Sequence, residues 1–362
     1  MTFGVSLMQD TRPMFVKSSL WFLIAVAVCM GPTSTARAQS AAPVQEFIFE
    51  TAPFKSCHAS TLVETSQGDL LCAWFAGDAE GRNNVSIWIS RKGTEGWSAP
   101  IELVTGIQSD GQRFPCWNPV LTRSPQGNIE LFYKVGPKPD RWWGMVVTSS
   151  DEGRTWSGSR PLPPHVLGPI KNKPEWLPDG RLLAPSSDES PVTDTWAIRM
   201  EARLPSGEWT TTGPLADPEQ THPIQPSILR LADGRLQILC RSRSGSIVQS
   251  FSPDGGRTWS PIEKTSLPNP NSGTDAVTLD SGLHVLIYNP TKKGRTPLEL
   301  ATSTEGQTWT RLAVLESEPG EYSYPTVIQT RSGDIHGTYT WKRQRIRHYV
   351  VPRAVIPRAD GK

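Results

Sequence analysis

Two interleaved series of residues recur along the chain with one period, and they constrain its fold more than any other feature. Trp97, Trp156, Trp209, Trp259 and Trp309 each close a turn-like segment, at spacings of 59, 53, 50 and 50 residues. Gly68, Gly127, Gly180, Gly234, Gly282 and Gly333 mark tight turns and step by 59, 53, 54, 48 and 51. Such a period signals one repeated supersecondary unit. Within each unit, short runs of Val, Ile, Leu, Tyr and Trp are broken by Gly, Pro, Asp and Ser, with no sustained helical period. The fourth unit reads QPSILRL, ADG, RLQILCRS, a loop, SIVQSFS, PDGG and RTWSPIE, which is four strands. The expected fold class is therefore all-β: a six-bladed β-propeller of four-stranded antiparallel blades. The sixth unit shows only three clear strands, ending in IRHYVVP. Closure needs a donor, and Glu46-Phe47-Ile48-Phe49-Glu50 has the alternation to supply an N-terminal strand.

The start of the chain reads differently. Lys17, the apolar run from Leu20 to Met30 and Ala36-Arg37-Ala38 follow the order of a secretory signal peptide. The expected organisation is thus a signal peptide over 1–38 and a single propeller over 39–362, with a secreted or periplasmic location. Removing Arg12, Lys17, Arg37 and the single acid Asp10 leaves 34 residues of each sign. Near-neutrality argues against nucleic acid or an acidic membrane as partner. No later segment has the length for a membrane span. Cys57, Cys72, Cys116 and Cys240 form no C-x-x-C pair, and no ligand spacing calls for a metal. No cofactor is expected. Whether Cys57 and Cys116 join is left open by their equivalent places in neighbouring units.

Between the third and fourth strands of the second and fourth units stand SSDEGRTW (Ser149 to Trp156) and SPDGGRTW (Ser252 to Trp259); STEGQTW (Ser303 to Trp309) is a degenerate copy. Ser and Asp oxygens there suit backbone N–H groups of a turn, Gly accepts positive φ, and Trp packs beneath the hairpin. These duties belong to the scaffold. In these motifs the chain resembles the sialidase superfamily, whose blades carry Asp-box repeats of the form S-x-D-x-G-x-T-W. The resemblance runs over the whole repeating region. It implies the propeller fold and a glycan as partner, while the reaction must be argued from the site.

Chemistry belongs where the blades converge. Aligning the first strands on their turn glycines gives Ala59-Ser60, Asn118-Pro119, Lys173-Pro174, Gln225-Pro226, Thr274-Asp275 and Tyr324-Pro325 in one register. Proline recurs in one column, as expected of an edge strand facing the axis. His58, Trp117, Asn172 and Ser323 stand one residue earlier. The second strands return to the same rim with Phe75, Lys134, Ser187, Arg241, Asn289 and Thr340. That rim is expected to gather His58, Arg82, Lys134, Lys173, Arg241, Arg243, Lys342 and Arg343, a set suited to an acidic glycan. Trp74, Trp117, Tyr324 and Trp341 are candidates for stacking on sugar faces, and Asn118 for a polar contact.

The sialidase resemblance also implies roles residue by residue. Arg241 falls at the family's fourth-blade arginine, Tyr324 at its sixth-blade nucleophile, and Asp78 in the loop that carries the acid/base aspartate. His58 replaces the first-blade arginine, Gln225 replaces the glutamate, and Asp275 stands in the fifth blade, where no arginine is placed. An amide cannot accept the tyrosine's proton. Three readings follow. One is an exo-glycosidase on a terminal acidic sugar, sialic acid or uronate, with Asp78 or Asp275 as acid/base, Tyr324 as nucleophile or stabiliser, and Arg241 holding the carboxylate. Lys173, Arg243 or Arg343 could assist. Another is a polysaccharide lyase in which His58 and Tyr324 do base and acid work. The third is a non-catalytic glycan-binding propeller.

Overall fold

The structure, a computed structural model, describes residues 42–189 and 194–358. The signal-peptide reading falls on 1–38, outside the described residues. Among the described residues no helix is long and apolar enough to cross a membrane.

Six antiparallel sheets follow one another along the chain. Blade 1 consists of Ser56–Glu64, Leu70–Gly77 and Ser86–Gly93, with Gly96–Trp97 and Ile101–Val104 both paired to the third strand. Blade 2 is Cys116–Arg123, Ile129–Val135, Trp143–Ser149 and Arg160–Pro161. Blade 3 is Glu175–Trp176, Leu182–Glu189, Trp196–Arg203 and Trp209–Thr211. Blade 4 is Ile224–Arg230, Leu236–Arg241, Ser246–Ser252 and Glu263–Pro268. Blade 5 is Asp275–Thr278, His284–Tyr288, Leu298–Ser303 and Thr310–Glu316. Blade 6 supplies Tyr322–Gln329, Ile335–Trp341 and Arg345–Val351. Its fourth strand is Val44–Phe47, with Val44 opposite Val350 and Phe47 opposite Arg347. The N-terminal segment thus closes the ring as the sequence predicts, two residues earlier than the EFIFE run.

Each blade is buried on both faces, so its strands read as nearly continuous apolar runs. In the second strand of blade 4, Leu236, Ile238 and Cys240 pack against blade 3, while Leu239 points the other way into blade 5. Side chains of period two therefore serve two interfaces at once. Every seam has its own cluster, including Leu62, Cys72 and Trp74 with Phe49 and Ile346 where blade 6 meets blade 1.

The two repeating series have separate physical causes. Each of the six glycines lies in the link between a first and a second strand, with φ between 82° and 93°. A side chain in that left-handed region is disfavoured, which fixes glycine there. The tryptophans pack between blades: Trp156, Trp259 and Trp309 sit beneath Asp-box turns, and the indoles of Trp259 and Trp309 donate to the carbonyls of Gly256 and Gly306 at 3.1 and 3.2 Å. The first box aspartate is satisfied within its own turn. Asp151 accepts from Ser149 Oγ at 2.7 Å, Thr155 N at 2.8 Å and Thr155 Oγ1 at 2.6 Å, and these bonds hold its carboxyl well below the usual range.

Candidate functional site at the axial mouth

The proline column coincides with a bulge. In four blades two residues of the first strand oppose one of the second: between His58 and Thr61, Trp117 and Val120, Ile224 and Ser227, and Ser323 and Thr326. The first bulged residues, Ala59, Asn118, Gln225 and Tyr324, all have positive φ, at 56°, 37°, 59° and 50°. Proline follows in three of them, where the ladder is already interrupted and its missing N–H matters least. A non-glycine residue held there costs about 1–3 kcal/mol and needs surrounding structure to fix it. The predicted second-strand column holds too, since Phe75, Lys134, Arg241 and Thr340 pair with the residues just before the bulges.

Gln225 and Tyr324 are therefore equivalent positions of blades 4 and 6, and their side chains meet. Gln225 Nε2 donates to the Tyr324 hydroxyl at 3.2 Å. Arg241 Nη1 donates to the same oxygen at 2.9 Å and to Gln225 Oε1 at 3.4 Å. The rest of the guanidinium binds Asn271, with Nε and Nη2 at 3.0 and 2.8 Å from Oδ1. Arg241 is 6 % exposed and Gln225 2 %, whereas Tyr324 is half-buried, so its ring forms part of the open floor. Both partners of the phenolic oxygen donate to it. The tyrosine's own hydrogen is thereby directed elsewhere, towards the open side.

Cations surround that ring. Arg241, Arg295 and Lys171 lie 5.8, 5.9 and 5.9 Å from its centroid. Arg295 comes from the loop between the second and third strands of blade 5, so the fifth blade does deliver an arginine. Sequence alignment of strands could not place it, because it sits in an aperiodic loop. Arg295 Nη1 donates to Glu321 at 2.7 Å, and Arg343 Nε donates to the same oxygen at 2.9 Å. Arg343 also pairs with Glu80. Arg243 stacks 4.0 Å from the Trp196 ring and donates to Asp194 Oδ1 at 3.0 Å. Glu189, at the end of the second strand of blade 3, is pushed up by burial against the opposing pull of Arg241 and Arg243.

His58 lies under Tyr324, with ring centroids 4.2 Å apart, and its Nδ1 is 3.0 Å from Thr340 Oγ1. It is 1 % exposed, and its Nε2 is buried with no hydrogen-bond partner. Burial, then the charges of Arg343, Arg295, Arg241 and Lys171, hold the imidazole well below its ordinary range, so it is neutral. Lys171 is buried beside it and donates to Asn172 Oδ1 at 2.7 Å, Thr274 O at 3.0 Å and the carbonyl of Pro325. Burial pulls its ammonium down to about 7.

Other residues expected at the rim are paired, buried or exposed on neighbouring loops. Asp275 is 1 % exposed and is enclosed by Lys173 Nζ at 2.7 Å, Val327 N at 2.9 Å, Thr326 Oγ1 at 3.1 Å and Ser227 Oγ at 3.3 Å. Lys173 and Asp275 thus neutralise each other in a knot joining blades 3 to 6 at the axis. Asp78 is exposed and pairs with Lys55 at 2.9 Å, whose hydrogen bond and charge hold the carboxyl below its usual range. Arg82 is exposed on the same loop. Lys134 is fully buried and donates to the Pro169 carbonyl, so it is no part of an open rim. Trp117 is buried, donates to Gly136 O at 2.9 Å and packs on Phe75, with Asn118 buried next to it; Trp74 is enclosed by Phe49 and Phe54. Trp341 packs on Phe47 at the closing seam. All four described cysteines are free and buried, so Cys57 and Cys116 are not joined.

Comparison with known proteins bears on the fold. No curated protein matches the chain. Among solved structures, a Dyadobacter fermentans protein of unknown function superposes with a TM-score of 0.70 at 16 % identity, covering 84 % of this chain and 97 % of that one. A Hadza microbial sialidase gives 0.72 at 18 %, covering 83 % and 66 %. The intramolecular trans-sialidase from Ruminococcus gnavus gives 0.67 at 13 %, covering 86 % and 98 %. These likenesses establish a fold shared with sialidases. The BNR repeat-like domain matches residues 68–336, which is most of the chain, and this protein belongs to that family.

Proposed function

We propose that the chain is a secreted glycan-processing hydrolase that takes the terminal acidic sugar of a glycan into the axial mouth. The observation that carries this reading is the joining of Arg241, Gln225 and Tyr324 at the floor, with Arg295 against the same ring. In this reading Arg241, whose charge no carboxylate among the described residues cancels, attracts the sugar's carboxylate, which takes the place of its long 3.4 Å contact with Gln225 Oε1. Tyr324 faces the anomeric centre as a stabilising or proton-donating group. With Gln225 beside it, no base is at hand to make it a strong nucleophile. Glu189 suits the acid role better than Asp78: burial favours its protonated form, whereas Lys55 favours the ionised form of Asp78. Asp275 is committed to Lys173. The sialidases among the structural neighbours support a glycan as partner.

Elimination from a uronate is the second reading, favoured by the neutral His58 stacked on Tyr324. Residues 39–362 incubated with sialosides and with uronate oligosaccharides separate the readings. Free saturated sugar supports hydrolysis. An unsaturated, ultraviolet-absorbing product overturns hydrolysis in favour of elimination, and binding without turnover leaves a glycan-binding propeller.

A further inference from the structure

Arg241, Arg295 and Arg343 reach the mouth from blades 4, 5 and 6, but their partners differ in charge. Among the described residues every hydrogen-bond partner of Arg241 is uncharged: Asn271, Gln225 and Tyr324. Arg295 and Arg343 share one carboxylate oxygen of Glu321, which also accepts from Ser323 Oγ at 3.2 Å. Glu80 supplies Arg343 with a second carboxylate. The backbone fixes this junction, because Tyr322 N donates to Arg295 O at 3.3 Å and Lys342 N to Glu321 O at 2.8 Å. The side chain of Glu321 remains 35 % exposed, three residues before Tyr324 in sequence. Its charge is therefore open to solvent beside the Arg295 and Arg343 guanidinium groups.

We infer that Glu321 is the specificity-determining residue of the mouth: it holds Arg295 and Arg343 as internal counter-ions, so the site accepts a sugar with one anionic group, bound at Arg241, and discriminates against a second. The inference rests on the acidic-sugar reading and deepens it. An anionic group placed near Arg295 meets a carboxylate already bound there. Like charges at such range repel, and specificity often resides in the repulsive element.

Glu321→Gln keeps the shape and an accepting oxygen but removes the charge. Titration calorimetry compares wild type, E321Q and E321D against N-acetylneuraminic acid and glucuronic acid (one anionic group), a sulfated glucuronic acid (two) and glucose (none). The expected result is that E321Q binds the doubly anionic sugar at least about tenfold tighter and the singly anionic sugars a few-fold tighter. Glucose is unaffected, and E321D behaves as wild type. Unchanged or weaker anion binding by E321Q, alongside loss of binding in Arg241→Lys, overturns the role of Glu321 and leaves the acidic-sugar reading standing. An E321D that behaves as E321Q also overturns it, since geometry and not charge would be at work. If neither wild type nor E321Q binds any anionic sugar, both readings fall.

Discussion

The two ends of the same blades solve opposite problems. At the outer end the box aspartates are satisfied within their turns: Asp254 takes Thr258 N at 2.9 Å, Thr258 Oγ1 at 2.6 Å and Arg257 N at 3.0 Å, all within a few residues. At the axial mouth the polar groups are satisfied across blades, as Arg241 is by Tyr324, 83 residues away. Local satisfaction leaves nothing over for a ligand. Satisfaction between blades collects charges and strained residues from distant sequence into one concave surface, where each further partner can come from solution. Charged residues are abundant at both ends, so their number does not locate a site. What matters is whether they gather around an open surface such as the half-buried Tyr324 ring.

Substitutions at the two ends should therefore separate function from stability. The largest effect is expected from Arg241→Lys, which keeps a charge but cannot hold Tyr324 and a carboxylate together. Turnover of the acidic glycan should fall on the order of 100-fold, measured as kcat/KM, with a native circular dichroism spectrum. Tyr324→Phe removes only the hydroxyl. It should lower kcat at least about tenfold while leaving ligand affinity within a few-fold, and a reversed pattern would reduce Tyr324 to a binding surface. At the other end, Asp254→Ala should cost about 1–2 kcal/mol in denaturant unfolding and leave kcat/KM unchanged. Lost activity at constant stability would break the contrast between the two ends.

The smallest effect concerns the closing seam. His336 Nδ1 lies 3.1 Å from His348 Nε2, and His348 Nδ1 lies 2.9 Å from Glu46 of the N-terminal strand. Burial, then the neighbouring His348, pulls the His336 imidazole down to about 4 from 6.5. The folded state therefore binds fewer protons than the unfolded one as pH falls below 6.5. The resulting stability is fully present above that value and is lost as pH drops through about 4. Thermal unfolding of wild type should shift down between pH 6.5 and 4 by a few degrees more than that of His336→Gln, roughly 2–4 °C. Equal slopes would remove His336 from the pH response.

The scaffold was legible because its causes are periodic. A left-handed turn demands glycine, a peripheral hairpin demands Ser, Asp and Trp, and a bulge at the axis tolerates proline; each demand recurs about every 50 residues. The same register aligned Arg241, Gln225 and Tyr324 correctly. It failed in two physical respects. A register fixes a residue's height along a strand but not its depth, so Lys134 and Trp117 were expected at the rim and are buried. It also says nothing of partners in other blades, so Lys173 and Asp275, each charged in isolation, turn out to cancel. Arg295, Glu321, Trp196 and Glu189 stand in loops or at strand ends with no period to mark them. The positive φ shared by Ala59, Asn118, Gln225 and Tyr324 left one trace, the proline after three of them.

The closure of blade 6 also bears on the order in which the molecule can form. Glu46 and His348 are 302 residues apart, and among the described residues Val44–Phe47 has no sheet partner other than Arg345–Val351. A chain emerging from its N-terminus makes the closing strand first and its partner nearly last. Until the sixth blade is synthesised, that first strand has nowhere to pair, and the seam cluster around Trp74 and Ile346 lacks one wall. Blades 1 to 5 can assemble progressively through neighbouring contacts. The ring becomes a ring only on completion, so loss of the last few dozen residues would release the first ones as well.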